Sequence, residues 1–365
     1  MKQSTINKHI ANVNRLTKDS QKLSFDAAAT LRISKIGTLT FLGISEKAQY
    51  VVFDGIQNLA GQDIFMPIGE FLSVWKRGNI EAVDTIYTNT AKLITDGGTF
   101  EVDLMPADDA PAFLDPSFTQ RHSYFDSADD LRGYAEFVSD DDLRPAMTGV
   151  FIGNKNGAGY VCATNGHYLK YDNVTVLPDA PDIILPANVV KSLPKEWQGR
   201  IDVDDDNKLA FLVIDVDGYK ASITFQTIDE TFPEFLKVIP LDNDRAVCID
   251  VAAAMKALKI AETVNHLSQF AFLTIGNDLH LQAENVDTGK RFLSRSIGQN
   301  YNENKEYRQA FNAKLLQTIL KNTDQKWIDV FASQPNRGAT FVNKTGPYLL
   351  MPVMMNLENL QPLGQ

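Results

Sequence analysis

The chain has 365 residues, 44% hydrophobic and 22% charged, with 35 Lys and Arg against 46 Asp and Glu for a formal net charge of −11. That composition excludes a wholly disordered chain, and the acidic total opposes tight binding of nucleic acid by the whole surface, because phosphate affinity comes from counterion release to clustered Lys and Arg. With no 18 consecutive apolar residues to span a bilayer, and no apolar core of a signal peptide over residues 1–7, a cytoplasmic protein is expected.

Taken from the N-terminus, Ile6, Ile10, Val13 and Leu16 recur at three- and four-residue intervals and predict a helix over 6–16. At Met66-Pro67-Ile68-Gly69-Glu70-Phe71-Leu72 an apolar strand end meets a proline, which predicts the first turn of a second helix, where the missing N–H costs nothing. Met105-Pro106-Ala107-Asp108-Asp109 and the extended stretch Pro111–Ser117 close this first unit. The layout then returns twice. Phe125–Ala135 and Ile249–Leu258 repeat the first helix, while Leu185-Pro186-Ala187 and Phe311-Asn312-Ala313 repeat the second, with Asn312 a capping residue in place of proline.

Between the helices, Leu209–Val216 runs through Asp217-Gly218 into Tyr219–Phe225, and Phe270–Ile275 runs through Gly276-Asn277-Asp278 into Leu279–Ala283; both are hairpin signatures. Pro67 and Pro186 lie 119 residues apart and Pro186 and Asn312 lie 126 apart, while the closing stretches that begin at Pro111 and Pro233 are 122 apart. Independent markers with nearly one period predict an α+β chain of three repeated units, at 1–120, 121–244 and 245–365, each an antiparallel sheet with two short helices. Open sheet edges at both ends of such an array invite pairing with a second copy.

Cys162 and Cys248 stand in apolar strand-like contexts and read as buried structural thiols. Many bases fall on the predicted helices: Lys8, Arg15 and Lys18; Lys76 and Arg77; Arg132; Lys191 and Lys195; Lys256 and Lys259; Lys314 and Lys321. The expected sheets and turns hold much of the acid, including Asp202, Asp204, Asp205 and Asp206. Lysine is a common surface helix former, which accounts for part of this enrichment. If the helices face one way, they present a positive surface on a negative body.

Four segments carry a resemblance: Arg144-Pro145-Ala146-Met147-Thr148-Gly149-Val150, Ala163-Thr164-Asn165-Gly166-His167-Tyr168-Leu169, Phe232-Pro233-Glu234-Phe235 and Tyr348-Leu349-Leu350-Met351-Pro352-Val353-Met354. In order, spacing and overall length they resemble the bacterial DNA polymerase III beta sliding clamp family across the second and third units, while the first unit resembles it more weakly, through Met105–Asp109. The resemblance implies a ring-shaped, head-to-tail homodimer of clamp domains that encircles double-stranded DNA without reading sequence. It implies a processivity factor that tethers DNA polymerase and takes its clamp loader and other partners through short peptide motifs, with no catalytic residue, cofactor or metal.

By match to the family pattern, the partner-peptide groove would be lined by Met147, Thr164, Gly166, His167, Tyr168 and Leu169, with Pro233, Lys237 and Val238. Asn312, Leu315, Leu350, Met351, Pro352, Val353 and Met354 would complete it. The DNA-facing residues would be the helix bases named above other than Lys18. Two departures bear on the groove: Asn165 and Tyr168 stand where the family usually has Asp and Arg, which removes charges from its rim. The chain also runs on from Asn356 to Gln365, where the family typically stops; that tail is either frayed or contacts the groove through its leucines.

A second reading is an enzyme of hydrolase type with a site around His167. The run Asp202–Asn207 resembles the start of a calcium loop, but its sixth position is Asn207 and its twelfth Val213, so it reads as a solvated turn. His9, His122, His266 and His280 have no metal-ligand spacing. No phosphate-binding Gly-x-x-x-x-Gly-Lys loop is present, so opening a ring would need a separate ATP-driven loader.

Overall fold

A computed structural model describes residues 7–13, 30–44, 48–52, 56–87, 89–111, 114, 122–123, 131–176, 180–193, 201–204, 209–216, 218–264, 269–285, 287–301, 306–344 and 346–354. Arg15, Lys18, Lys195, Asp205, Asp206, most of the helix expected at 125–135 and the tail from 355 lie outside the described residues. No helix among the described residues is long and apolar enough to cross a membrane. Packing divides the chain into two compact units, one of Met1–Ala135, Gly149–Tyr160 and Val174–Glu230, the other of Glu136–Thr148, Val161–Asn173 and Thr231–Gln365.

In the first unit an antiparallel sheet of eight strands has the order Ile64–Pro67, Thr30–Ile33, Leu39–Ile44, Ala48–Val52, Tyr219–Gln226, Leu209–Val216, Ile201–Val203 and His122–Ser123. Alternation builds it: Leu31 and Ile33, Leu39 and Phe41, Tyr50 and Val52, and Ile64 and Met66 are all buried at two-residue spacing. The expected hairpin is present, with Val216 opposite Tyr219 across a two-residue turn. Helix α1 (residues 7–13) buries more than an apolar stripe. His9 and Asn12 are buried with Ile10 and Val13, and the Tyr50 hydroxyl meets His9 Nδ1 at 2.7 Å and accepts from Asn12 Nδ2 at 3.4 Å.

Helix α2 (Ile68–Trp75) buries Ile68, Phe71, Leu72 and Trp75, with the Phe71 and Trp75 rings stacked at 5.6 Å. Its start corrects the sequence reading by one position: Pro67 is the N-cap, in extended conformation, as is Pro186 before helix α3 (Ala187–Ser192). The acidic stretch expected as a solvated turn also differs. Asp202 and Asp204 are buried, and the Asp204 carboxylate accepts the Leu209 backbone N–H at 3.0 Å, closing the loop that leads into the next strand.

The second unit's sheet runs from the Val161–Thr164 end of strand Ala158–Thr164 through Tyr168–Asn173, Tyr348–Leu350, Ala339–Val342, Trp327–Ala332, Asp244–Asp250, Gly298–Asn300, Asp278–Asn285, Gln269–Ile275 and Arg308–Asn312. Ile275 lies opposite Asp278, so the second expected hairpin is present with Gly276-Asn277 as its two-residue loop. Helices α4 (Val251–Ala261) and α5 (Ala313–Lys321) pack together, burying Ala254, Ala257 and Leu258 on the one and Leu316, Ile319 and Leu320 on the other, and are linked by Gln317 Nε2 donating to Glu262 at 2.6 Å. Both are capped by side chains: Asp250 accepts from Ala253 N, and Asn312 from Lys314 N and Leu315 N. Cys162 and Cys248 are buried free thiols, with Cys162 pushed well above the usual thiol range by its burial.

The repeat is visible in strand register. Gln49, Tyr50 and Val51 pair with Thr224, Ile223 and Ser222, and Tyr168, Leu169 and Lys170 pair with Leu350, Leu349 and Tyr348. From the first junction to the second, the two partners together advance 245 residues, as the two helix-start spacings together do. Because Asn312 satisfies N–H groups at the start of α5, Asn312→Ala should lower stability by about 1 kcal/mol, read by chemical denaturation, whereas Asn312→Asp should retain most of it.

Candidate functional site

The second junction carries a concave site lying wholly in the second unit. Strand Ala158–Thr164 turns into Tyr168–Asn173 through Asn165, Gly166 and His167, and side chains knit the turn: Thr164 Oγ1 donates to Tyr168 O at 2.7 Å and accepts from Gly166 N at 3.0 Å. Asn165 Oδ1 accepts from His167 N at 2.9 Å and Tyr168 N at 3.2 Å. Gly166 holds φ +87°, which a side chain adopts only with strain, and a Cβ there would stand 3.2 Å from the Arg144 guanidinium. The His167 carbonyl accepts the Met351 N–H at 2.8 Å, fastening the turn to the end of the chain's last described strand.

Period-two alternation sorts the paired strands into two faces. Tyr168, Lys170, Tyr348 and Leu350 share one. There the Phe137 ring stacks on Tyr348 at 5.2 Å and meets Tyr168 at 4.8 Å, and the Lys170 ammonium lies 5.7 Å from the Tyr348 centroid. Leu169, Leu349 and Met351 belong to the other, which is floored by the 3-10 turn Phe235–Val238, where Phe235 packs against Tyr171 and Phe232. Over this second face opens a cavity of about 170 Å³ lined by Met147, Thr164, Gly166, His167, Tyr168, Leu169, Pro233, Glu234, Phe235, Val238, Leu349 and Met351.

Of the residues assigned from sequence, Met147, Thr164, Gly166, His167, Tyr168, Leu169, Pro233, Val238 and Met351 are brought together here. Others are placed elsewhere. Leu350 is fully buried, as the strand register requires, Asn312 caps α5, and Leu315 is half-buried on α5. Val353 packs against Ala271 and Ala310, Pro352 is half-buried, and Lys237 and Met354 are exposed without lining the cavity. Glu234, Phe235 and Leu349 line it and were missed, although counting back in twos from Met351 reaches Leu349.

Tyr168 is not a rim residue. Its hydroxyl donates to the Glu136 carbonyl at 2.6 Å, and burial, reinforced by the Glu136 and Asp140 carboxylates, pushes its phenol up to about 12. Among the helix bases, Lys8, Lys76, Arg77, Lys191, Lys256, Lys259, Lys314 and Lys321 are exposed and Arg132 is half-buried. Lys256, Lys259, Lys314 and Lys321 stand clear of the buried faces of α4 and α5.

No protein-family model matches the chain, and no curated protein matches it. Solved structures do. The DNA polymerase III beta sliding clamp of Bartonella birtlesii, bound to griselimycin, is 17% identical with a TM-score of 0.78, over 97% of this chain and 98% of that one. The DNA polymerase III beta subunit of Thermotoga maritima is 15% identical with a TM-score of 0.76, over 95% and 98%. The Helicobacter pylori beta clamp bound to a DNA ligase peptide is 13% identical with a TM-score of 0.76, over 97% and 99%. At this identity the likeness establishes the fold: the chain is folded like a beta sliding clamp along nearly its whole length.

Two outcomes follow from the site's geometry. An unfolded tyrosine ionises near 10, so the unfolded chain releases the Tyr168 proton first; Tyr168 therefore contributes stability that is full below pH 10 and is lost as pH rises through about 12. Tyr168→Phe should flatten that alkaline loss and, by leaving the Glu136 carbonyl without its donor, cost about 1 kcal/mol at neutral pH; denaturation at pH 7, 10 and 11.5 checks both. Gly166→Val should cost about 1–2 kcal/mol through backbone strain, measured the same way.

Proposed function

We propose that a chain with the fold of the DNA polymerase III beta sliding clamps is a divergent member of that family, a non-enzymatic processivity factor. The observation that supports this best is the coincidence of a full-length likeness to sliding clamps with an apolar cavity built on the sheet junction at Leu169 and Leu349. In this reading the chain consists of three clamp domains, at 1–120, 121–244 and 245–365, and two chains close head to tail into a ring around duplex DNA. The exposed bases of the helices, Lys256, Lys259, Lys314 and Lys321 among them, face the DNA. Their contacts are to phosphates, carry no sequence information and stay weak enough for sliding, while the acidic remainder of the surface keeps DNA off the outside.

The cavity takes a short peptide from a polymerase, a clamp loader or another partner. An apolar groove with Met147 and Met351 in its walls suits several peptides, because methionine repacks at low cost. The Helicobacter pylori clamp, solved with a DNA ligase peptide, is a precedent for such a partner. His167 ties the turn through its backbone groups and also lines the cavity, so His167→Ala should leave the fold intact while weakening peptide binding.

A solution mass of two chains, retention on nicked circular DNA that is lost when the circle is cut, and longer products from a primed circle are the expected results. A monomer that a loader does not retain on circular DNA would overturn the reading. Replacing Lys256 and Lys314 by Glu should shorten the lifetime on circular DNA several-fold at low salt, with less effect at high salt, and leave the circular dichroism spectrum unchanged.

A further inference from the structure

Past Met351 the chain stays near the cavity that this residue lines. The Met351 N–H donates to His167 O at 2.8 Å and the Val353 N–H to Ala310 O at 2.9 Å, so the backbone is held on both sides of Pro352. Val353 packs against Ala271 and Ala310, whereas Met354, the next residue, is 87% exposed. Met354 follows Met351 by three residues, which keeps their Cα atoms within about 11 Å of each other. The cavity also leaves apolar surface in water, since Val238 and Met351 in its lining are 53% and 36% exposed.

Residues 355–365, outside the described residues, follow Met354 and carry Leu357, Leu360 and Leu363 at three-residue spacing among mostly polar neighbours. Pro362 opposes a helix through this stretch. In an extended chain of the polyproline II type, with three residues per turn, leucines so spaced fall on one edge. The six residues from Met354 to Leu360 can span about 20 Å, roughly twice the largest separation of Met354 from Met351. We infer that this segment folds back and places Leu360 and Leu363 in the cavity, so that the chain occupies its own groove and a partner peptide must displace it. The inference rests on the peptide-groove reading above and adds to it an intramolecular competitor. A tether this short gives an effective concentration on the order of millimolar. A segment that binds weakly as a free peptide, at about 0.1 mM, then holds the cavity most of the time and weakens a partner about tenfold.

Fluorescence anisotropy with a labelled synthetic peptide of residues 356–365 tests it, on the full chain and on the full chain carrying Leu360→Asn with Leu363→Asn. Those substitutions alter the competitor and leave the cavity walls as they are. The peptide should bind the variant saturably and the unsubstituted chain on the order of tenfold more weakly. Adding Val238→Asn with Met351→Asn, both partly exposed positions, to the variant should remove most of that binding. Equal affinity for the two chains that still depends on Val238 and Met351 would overturn the inference and leave the groove. Absence of saturable binding by the variant, or binding indifferent to Val238 and Met351, would overturn it as well. Retention on nicked circular DNA separates the two readings: a chain that is retained but fails the peptide comparison keeps the clamp reading and loses only the tail contact.

Discussion

Three backbone pairs, Tyr168 with Leu350, Leu169 with Leu349 and Lys170 with Tyr348, fasten a strand from the middle of the sequence to its last described strand. The cavity depends on them. Without that pairing the Thr164–Tyr168 turn has no floor, because Leu349 and Met351 reach it only through the register that places Leu349 beside Leu169. The pairing in turn depends on the buried face beneath, where Phe137, Tyr168 and Tyr348 form a ring stack and Tyr348 donates to Asn322 O at 2.8 Å. A slip of the last strand by one residue would carry Tyr348 out of that stack to the cavity side, so its burial pins the register.

The same device occurs earlier in the chain, where Tyr50 and Ile223 pair in the first unit's sheet. There the Tyr50 ring is buried and its hydroxyl engages His9 and Asn12 of α1, as at the later junction the Tyr168 and Tyr348 hydroxyls engage the Glu136 and Asn322 carbonyls. The cavity of the later junction opens on the opposite face, over Leu169, Leu349 and Met351.

Charge follows a similar division of labour. The helices bury Ala, Leu and Ile on their packed faces and carry Lys256, Lys259, Lys314 and Lys321 outside them. An acidic protein can therefore hold a basic surface on particular elements, since exposed charges farther apart than about 10 Å are largely screened from one another.

By itself the sequence determined what depends on neighbours along the chain: the strand-to-helix boundaries at Pro67, Pro186, Asp250 and Asn312, the two-residue hairpins at Asp217-Gly218 and Gly276-Asn277, and a period that reappears in strand register. Caps, turns and alternation act within a few residues, so they are written locally. Most of the cavity's walls were also legible, but only through the family resemblance that short motifs such as Thr164–Leu169 carry. Only tertiary structure decided which of Leu349 and Leu350 faces the cavity, that Tyr168 is buried under Phe137 rather than set on the rim, and that Asp202 and Asp204 lie inside. Each of those outcomes is fixed by a partner strand or loop brought in from elsewhere, and adjacent leucines are equally apolar until the register of that partner is known.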